Sequence, residues 1–145
     1  MTSLTDRYLP ELLEGPTVPL AAIPSSPGGS TGVFTIWYRE QLLGLGRSTK
    51  EPAGSGNKQA DGLAARLRMV LRQPHESIQR ALAATWPQDL ASAEGATRQQ
   101  RASDALKARA ECRLVRLPTG AEAQQLYDEV LEHLRGEGLP LADRA

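Results

Sequence analysis

Apolar residues in this chain fall into short runs separated by polar stretches rich in glycine or proline. Val33-Phe34-Thr35-Ile36-Trp37 is β-branched and aromatic, and Leu42-Leu43-Gly44-Leu45 follows after Tyr38-Arg39-Glu40-Gln41 alone. Two such runs across so short a connector predict a β-hairpin with its turn at Tyr38 to Gln41. Leu63, Leu67, Val70 and Leu71 then recur at helical spacing. Gln73-Pro74 ends that helix, because a residue before proline is pushed out of the helical region. Ile78, Leu82 and Trp86 mark a second short helix, stopped by Pro87. The Ala-, Gln- and Arg-rich segment from Ala91 to Ala110 is helical by propensity, with a break near Gly95. Cys112, Leu114, Val115 and Leu117 predict a third strand. Pro118-Thr119-Gly120 turns the chain into a last helix with Leu126, Val130 and Leu134 on one stripe, flanked by Tyr127 and Leu131. Gly136 and Gly138 end it.

Before the hairpin, Met1 to Leu13 reads as a short helix capped by Thr5-Asp6, with Leu9, Leu12 and Leu13 apolar. Gly15 to Ser30 is broken by Pro24, Pro27, Gly28 and Gly29, yet Thr17-Val18-Pro19-Leu20 suits an extended sheet edge, where proline is tolerated. Arg47 to Asp61 is a polar loop of a length that is more often functional than a plain connector. These elements predict an α+β fold with a small three-stranded antiparallel sheet flanked by helices. Residues 1–31 form an N-terminal extension packing on a domain of residues 32–145.

Composition narrows the function classes. Aromatics make up only 4% of 145 residues, so Leu, Ala and Val carry the core. No apolar run approaches the 18 or more residues that a membrane-spanning helix needs, which argues against a membrane partner. The first residues lack the basic start and apolar block of a signal peptide. The single cysteine, Cys112, makes no internal disulfide and no metal spacing, and a reducing, cytoplasmic location is expected. Net charge is zero, but it is unevenly spread. Arg39 to Arg116 holds 14 Lys/Arg against 8 Asp/Glu, a balance of +6, whereas Pro118 onward holds 2 against 6, a balance of −4. A basic middle of this kind can present an electropositive face to nucleic acid.

The order of these features carries a resemblance. Gly32-Val33-Phe34 opens the first strand, Gly44-Leu45-Gly46 closes the second, and Gly62-Leu63-Ala64-Ala65-Arg66-Leu67 brings an arginine on the next helix. This resembles the GIY-YIG endonuclease family. Gly56-Asn57-Lys58 is similar to a feature of some bacterial members, and Pro118-Thr119-Gly120-Ala121 and Pro140-Leu141-Ala142-Asp143 also resemble family features. The resemblance spans about Gly32 to Asp143. It implies DNA as partner, Mg²⁺ as cofactor, and a catalytic set at the positions of Phe34, Gly44, Arg66 and Tyr127.

Several of those positions depart from the family's pattern. Phe34 and Gly44 stand where it has tyrosines, Val70 where a histidine is frequent, and Tyr127 where a glutamate holds the metal. A phenyl ring cannot relay the proton of an attacking water. Residues three or four from Tyr127 on a helix are Ala123, Gln124, Val130 and Leu131, none of them acidic. A shifted register makes Glu132 the metal ligand, at the cost of placing Arg135 and Gly136 at apolar positions. Arg66 retains the capacity to bind a phosphate bidentately but cannot itself generate a nucleophile.

Two readings therefore remain open. One is a catalytically degenerate nucleic-acid-binding or interaction module, contacting DNA through Arg47, Lys50, Lys58, Arg66, Arg68 and Arg72. The other is an active metal-dependent DNA endonuclease, with Arg66 on the scissile phosphate and Glu132 holding Mg²⁺. A protein partner or homo-oligomer fits a third, in which an assembly supplies the missing chemistry. Trp37 and Trp86 are read as buried in preference to base-stacking, and neither His75 nor His133 has metal-like spacing.

Overall fold

The computed structural model describes residues 4–22, 31–49, 62–90 and 97–136. Helix α1 spans Leu4–Glu14 and strand β1 Val18–Pro19, followed by a 3₁₀ turn at Leu20–Ala22. The hairpin is β2, Gly32–Tyr38, and β3, Gln41–Ser48. Helices α2, Gly62–Arg72, and α3, Glu76–Thr85, lead through a 3₁₀ turn at Pro87–Leu90 to α4, Arg98–Arg109. Strand β4, Ala110–Arg116, and helix α5, Gly120–Gly136, complete the order. No described helix is long and apolar enough to cross a membrane.

The sheet corrects the expectation of three strands. It has four, all antiparallel, in the order β1-β4-β2-β3. The fourth is the extended Val18–Pro19 segment, which pairs Val18 with Cys112 and Pro19 with Glu111. Proline is tolerated there because β1 is an edge.

Strand β2 is central, and its alternation divides the protein into two cores. Phe34, Ile36 and Tyr38 point to the side covered by α2, α3 and α4, together with Leu63, Leu67, Ile78, Leu82 and Leu106. Val33 points the other way, into a core with Leu12, Leu45, Leu126, Tyr127, Val130 and Leu134 from α1, β3 and α5. A strand buried on both faces reads as continuously hydrophobic, as Val33 to Trp37 does, because both sets of side chains leave water.

Polar contacts hold α1 to the sheet. The buried Thr35 hydroxyl donates to the Leu12 carbonyl at 2.7 Å, and the Trp37 indole donates to Thr35 at 2.8 Å. Arg113 donates to the Gly15 carbonyl at 2.6 Å, just past the C-terminus of α1, and lies over the Trp37 ring. Cations favour that end of a helix, where the carbonyls lack intrahelical partners.

The hairpin turns on Arg39 and Glu40, whose φ values of 49° and 67° are both left-handed. Two-residue turns with positive φ match the right-handed strand twist, but they favour Gly or Asn. Here a bidentate ion pair offsets the strain, with Arg39 Nε and Nη2 donating to the Asp89 carboxylate at 2.8 and 2.9 Å. The Tyr38 phenol also donates to Asp89, at 2.6 Å. Asp89 thus ties the hairpin tip to the turn after α3.

The Arg39 hydrogen bonds, then that of Tyr38, pull the Asp89 carboxyl down to about 2, from 3.8. A carboxyl depressed in the folded state contributes stability that is present above its unfolded value and is lost as pH falls through its folded value. Urea unfolding of wild type and Asp89→Asn is therefore expected to differ by a constant amount from about pH 5 to 7. The difference should shrink below pH 4 and be largely gone near pH 2. A difference independent of pH would show that the Asp89 charge contributes nothing.

Candidate functional site

The two-sided sheet decides which sequence-predicted residues meet. Phe34 is fully buried in the core beneath α2, α3 and α4, and Val70 of α2 is buried in the same core. Tyr127 is buried in the core of α1 and α5. Phe34 and Tyr127 therefore lie on opposite faces of the sheet and are not brought together. Gly44 is buried in β3 opposite Ile36. Arg66, on α2, is exposed. Lys50, Lys58, Gly56-Asn57-Lys58 and Pro140 to Asp143 lie outside the described residues.

Both glycines that lead and close the hairpin have packing reasons. A Cβ on Gly46 would stand 2.3 Å from Cζ of the Phe34 ring, which lies directly across the β2–β3 ladder. A Cβ on Gly32 would stand 2.2 Å from the Val115 carbonyl oxygen on β4. Real Cβ atoms do not approach that closely, so both positions require glycine whatever the chemistry.

Arg47, on β3 one residue beyond Gly46, points to the α5 side. Its Nε donates to Gln124 Oε1 at 2.6 Å, and its guanidinium carbon lies 4.4 Å from the centroid of the Tyr127 ring. Gln124 in turn donates from Nε2 to Asp128 at 2.9 Å. Thr49 then follows β3, and its carbonyl packs so closely on Gly120 at the start of α5 that a Cβ there would lie 2.3 Å away. Sequence reasoning missed Gln124. Its only local signal is the helical pairing with Asp128, and nothing links it to Arg47, 77 residues away.

Mg²⁺ can be tested against the donors present. At the position where the resemblance implies a metal-holding glutamate stands Tyr127, its ring covered by a guanidinium cation. A second cation there would be repelled. Glu132 is exposed on α5, outside the buried stripe of Leu126, Val130 and Leu134. With Thr5, Glu129, His133 and Gly136 it lines an open groove of about 510 Å³, where the Thr5 hydroxyl donates to Glu129 at 2.8 Å. Among the described residues, no group of three or more His, Cys, Asp or Glu side chains is placed to hold a metal ion. The residues described do not fit the metal.

The remaining candidates have structural roles. His75 caps α3, its Nδ1 accepting from the Ser77 amide at 3.1 Å, and Glu76 pairs with Arg80 along the helix. Trp86 packs against Tyr38, with ring centroids 4.7 Å apart. Trp37 is half-buried beside Arg113. Burial, with a smaller contribution from Glu111, pushes the Cys112 thiol up to about 12. That removes it as a nucleophile at neutral pH.

The cations of α2 remain at the surface. At 3.6 residues per turn, Arg66, Met69, Arg72 and Arg68 follow one another around an outward arc of about 160°, opposite Leu63, Leu67 and Val70. All four are exposed. The chain matches no family model, no curated protein and no solved structure.

Because the Phe34 ring occupies the space above Gly46, Gly46→Ala is expected to destabilise the fold by about 1–3 kcal/mol through overpacking. The cost should fall in a Phe34→Leu background, since the two residues share one contact. Denaturant titration of the four variants in this cycle checks the coupling, and strictly additive effects would contradict it.

Proposed function

We propose that this protein is a nucleic-acid-binding module of GIY-YIG-like architecture that has no nuclease chemistry of its own. The observation that carries the reading is the outward arc of α2, where Arg66, Arg68 and Arg72 are all exposed. Guanidinium groups spaced along one helix surface suit the phosphates of a nucleic-acid backbone, which they bind as planar forks. Neither Phe34 nor Tyr127 supports hydrolysis. A fully buried phenyl ring has no proton to exchange, and a phenol under a guanidinium is a poor metal ligand.

In this reading the domain positions itself on DNA through charge, without base readout. Arg66 flanks the buried stripe of α2 on one side, while Arg68 and Arg72 are one turn apart on the other. The alternative, a Mg²⁺-dependent endonuclease with Glu132 as metal ligand, rests on one carboxylate carried by a helix on the other face of the sheet from Arg66.

Duplex binding measured from 50 to 200 mM salt is expected to weaken with a slope of about −2 to −3 in log K against log salt, as for three phosphate contacts. Arg66→Ala should lower affinity uniformly across sequences and reduce that slope by about 1. Supercoiled plasmid should remain uncut with Mg²⁺ or Mn²⁺. Binding unaffected by salt would remove the nucleic-acid reading. Cleavage lost in Glu132→Gln would instead establish the endonuclease.

A further inference from the structure

We propose that Arg47, oriented by Gln124 and Tyr127, forms a phosphate-binding site on the α5 side of the sheet, separate from the arginines of α2. Arg47 is half-buried, and its two contacts are both neutral: the Gln124 amide oxygen at 2.6 Å and the Tyr127 ring at 4.4 Å. It forms an ion pair with no carboxylate among the described residues. Charges drawn out of water are ordinarily paired with an opposite charge. Among the described residues no carboxylate compensates the positive charge, which is held in place as a site for an external anion requires.

The surrounding side chains orient the arginine without neutralising it. Gln124 gives its amide nitrogen to Asp128 at 2.9 Å, which leaves its oxygen for Arg47 and sets the side chain one way round. A glutamate at position 124 would reach Arg47 equally well and cancel its charge. The Tyr127 ring is buried within the α5 core and forms a rigid floor under the guanidinium. The Nε bond to Gln124 leaves the Nη groups for a second partner, and two such donors match two oxygens of one phosphate. A phosphate in this site comes either from a nucleic-acid backbone or from a small phosphorylated molecule. The site does not depend on the α2 reading.

Titration of the ¹⁵N-labelled full chain with inorganic phosphate, at constant ionic strength against chloride, tests the proposal. The Arg47 Nε–H resonance and the backbone amides of Ser48 and Gln124 are expected to shift saturably, and those amides carry the readout in the Arg47 variant. Arg47→Lys, which keeps the charge but loses the fork, should weaken binding about tenfold. Gln124→Glu should abolish the response while the protein stays folded, because the new carboxylate occupies the guanidinium. Arg80→Ala, at an exposed arginine of α3 outside both surfaces, should leave the response unchanged, and because the response is read at Arg47 itself, failure here and failure of the α2 reading are distinguishable. Saturation by a short oligonucleotide at much lower concentration than by a nucleoside monophosphate assigns the site to a backbone, and equal potency assigns it to a small molecule. A shift that does not saturate, or one equally strong in Arg47→Lys or Gln124→Glu, overturns the proposal.

Discussion

The close approach of β2 and β3 at Phe34 and Gly46 is the contact on which the rest of this structure depends. Phe34 is the chain's only phenylalanine, and its ring lies across the ladder on the bare backbone of Gly46. Removing a Cβ from β3 lets a large ring sit flat at the sheet surface, with Leu63 and Leu67 of α2 packing in the same core. A side chain buried this way contributes about 1.5–3 kcal/mol. In a protein with few aromatics, that burial anchors the α2, α3 and α4 layer. The same glycine that looks like part of a catalytic motif is a packing requirement.

The second consequence is a division of labour between the two faces. Because β2 is buried on both sides, each residue on it or on a neighbouring strand faces the α2 side of the sheet or the α5 side. Phe34 and Arg66 fall to the α2 side, while Arg47, Tyr127 and Glu132 fall to the α5 side. A reaction centre needs its groups within hydrogen-bond reach of one reacting atom. These residues offer two separate cationic surfaces, one exposed on a helix and one half-buried against an aromatic ring. Guanidinium surfaces of this kind can bind phosphates.

Most of the fold was legible in the sequence because its signals are local. Helical spacing located α2, α3 and α5, Pro74 and Pro87 ended their helices, and the four-residue turn at Tyr38 to Gln41 was visible between two apolar runs. Helix α4 begins at Arg98 under a Thr97 cap, within the segment that propensity marks as helical, and residues 91–96 lie outside the described set. The fourth strand was visible only as an extended edge, because two residues have no periodicity and their pairing with β4 is set more than 90 positions away. The site was less legible for the same reason. Which face Arg47 takes depends on the strand register, and nothing near Gln124 in the sequence links it to Arg47. Asp89 has no signal of its own in the sequence, because its partners Tyr38 and Arg39 lie about 50 residues away on the hairpin tip.

Phe34 and Tyr127 pack on opposite faces of one sheet, and the division of the whole molecule follows from that. Through-space NMR contacts of the single Phe34 ring test it most directly. Strong contacts are expected from that ring to the Gly46 α-protons, shifted upfield by ring current, with further contacts to the α2 core side chains and none to Tyr127. Contacts between the Phe34 and Tyr127 rings, with Gly46 α-protons at ordinary shifts, would contradict it and bring the divided residues back into one site.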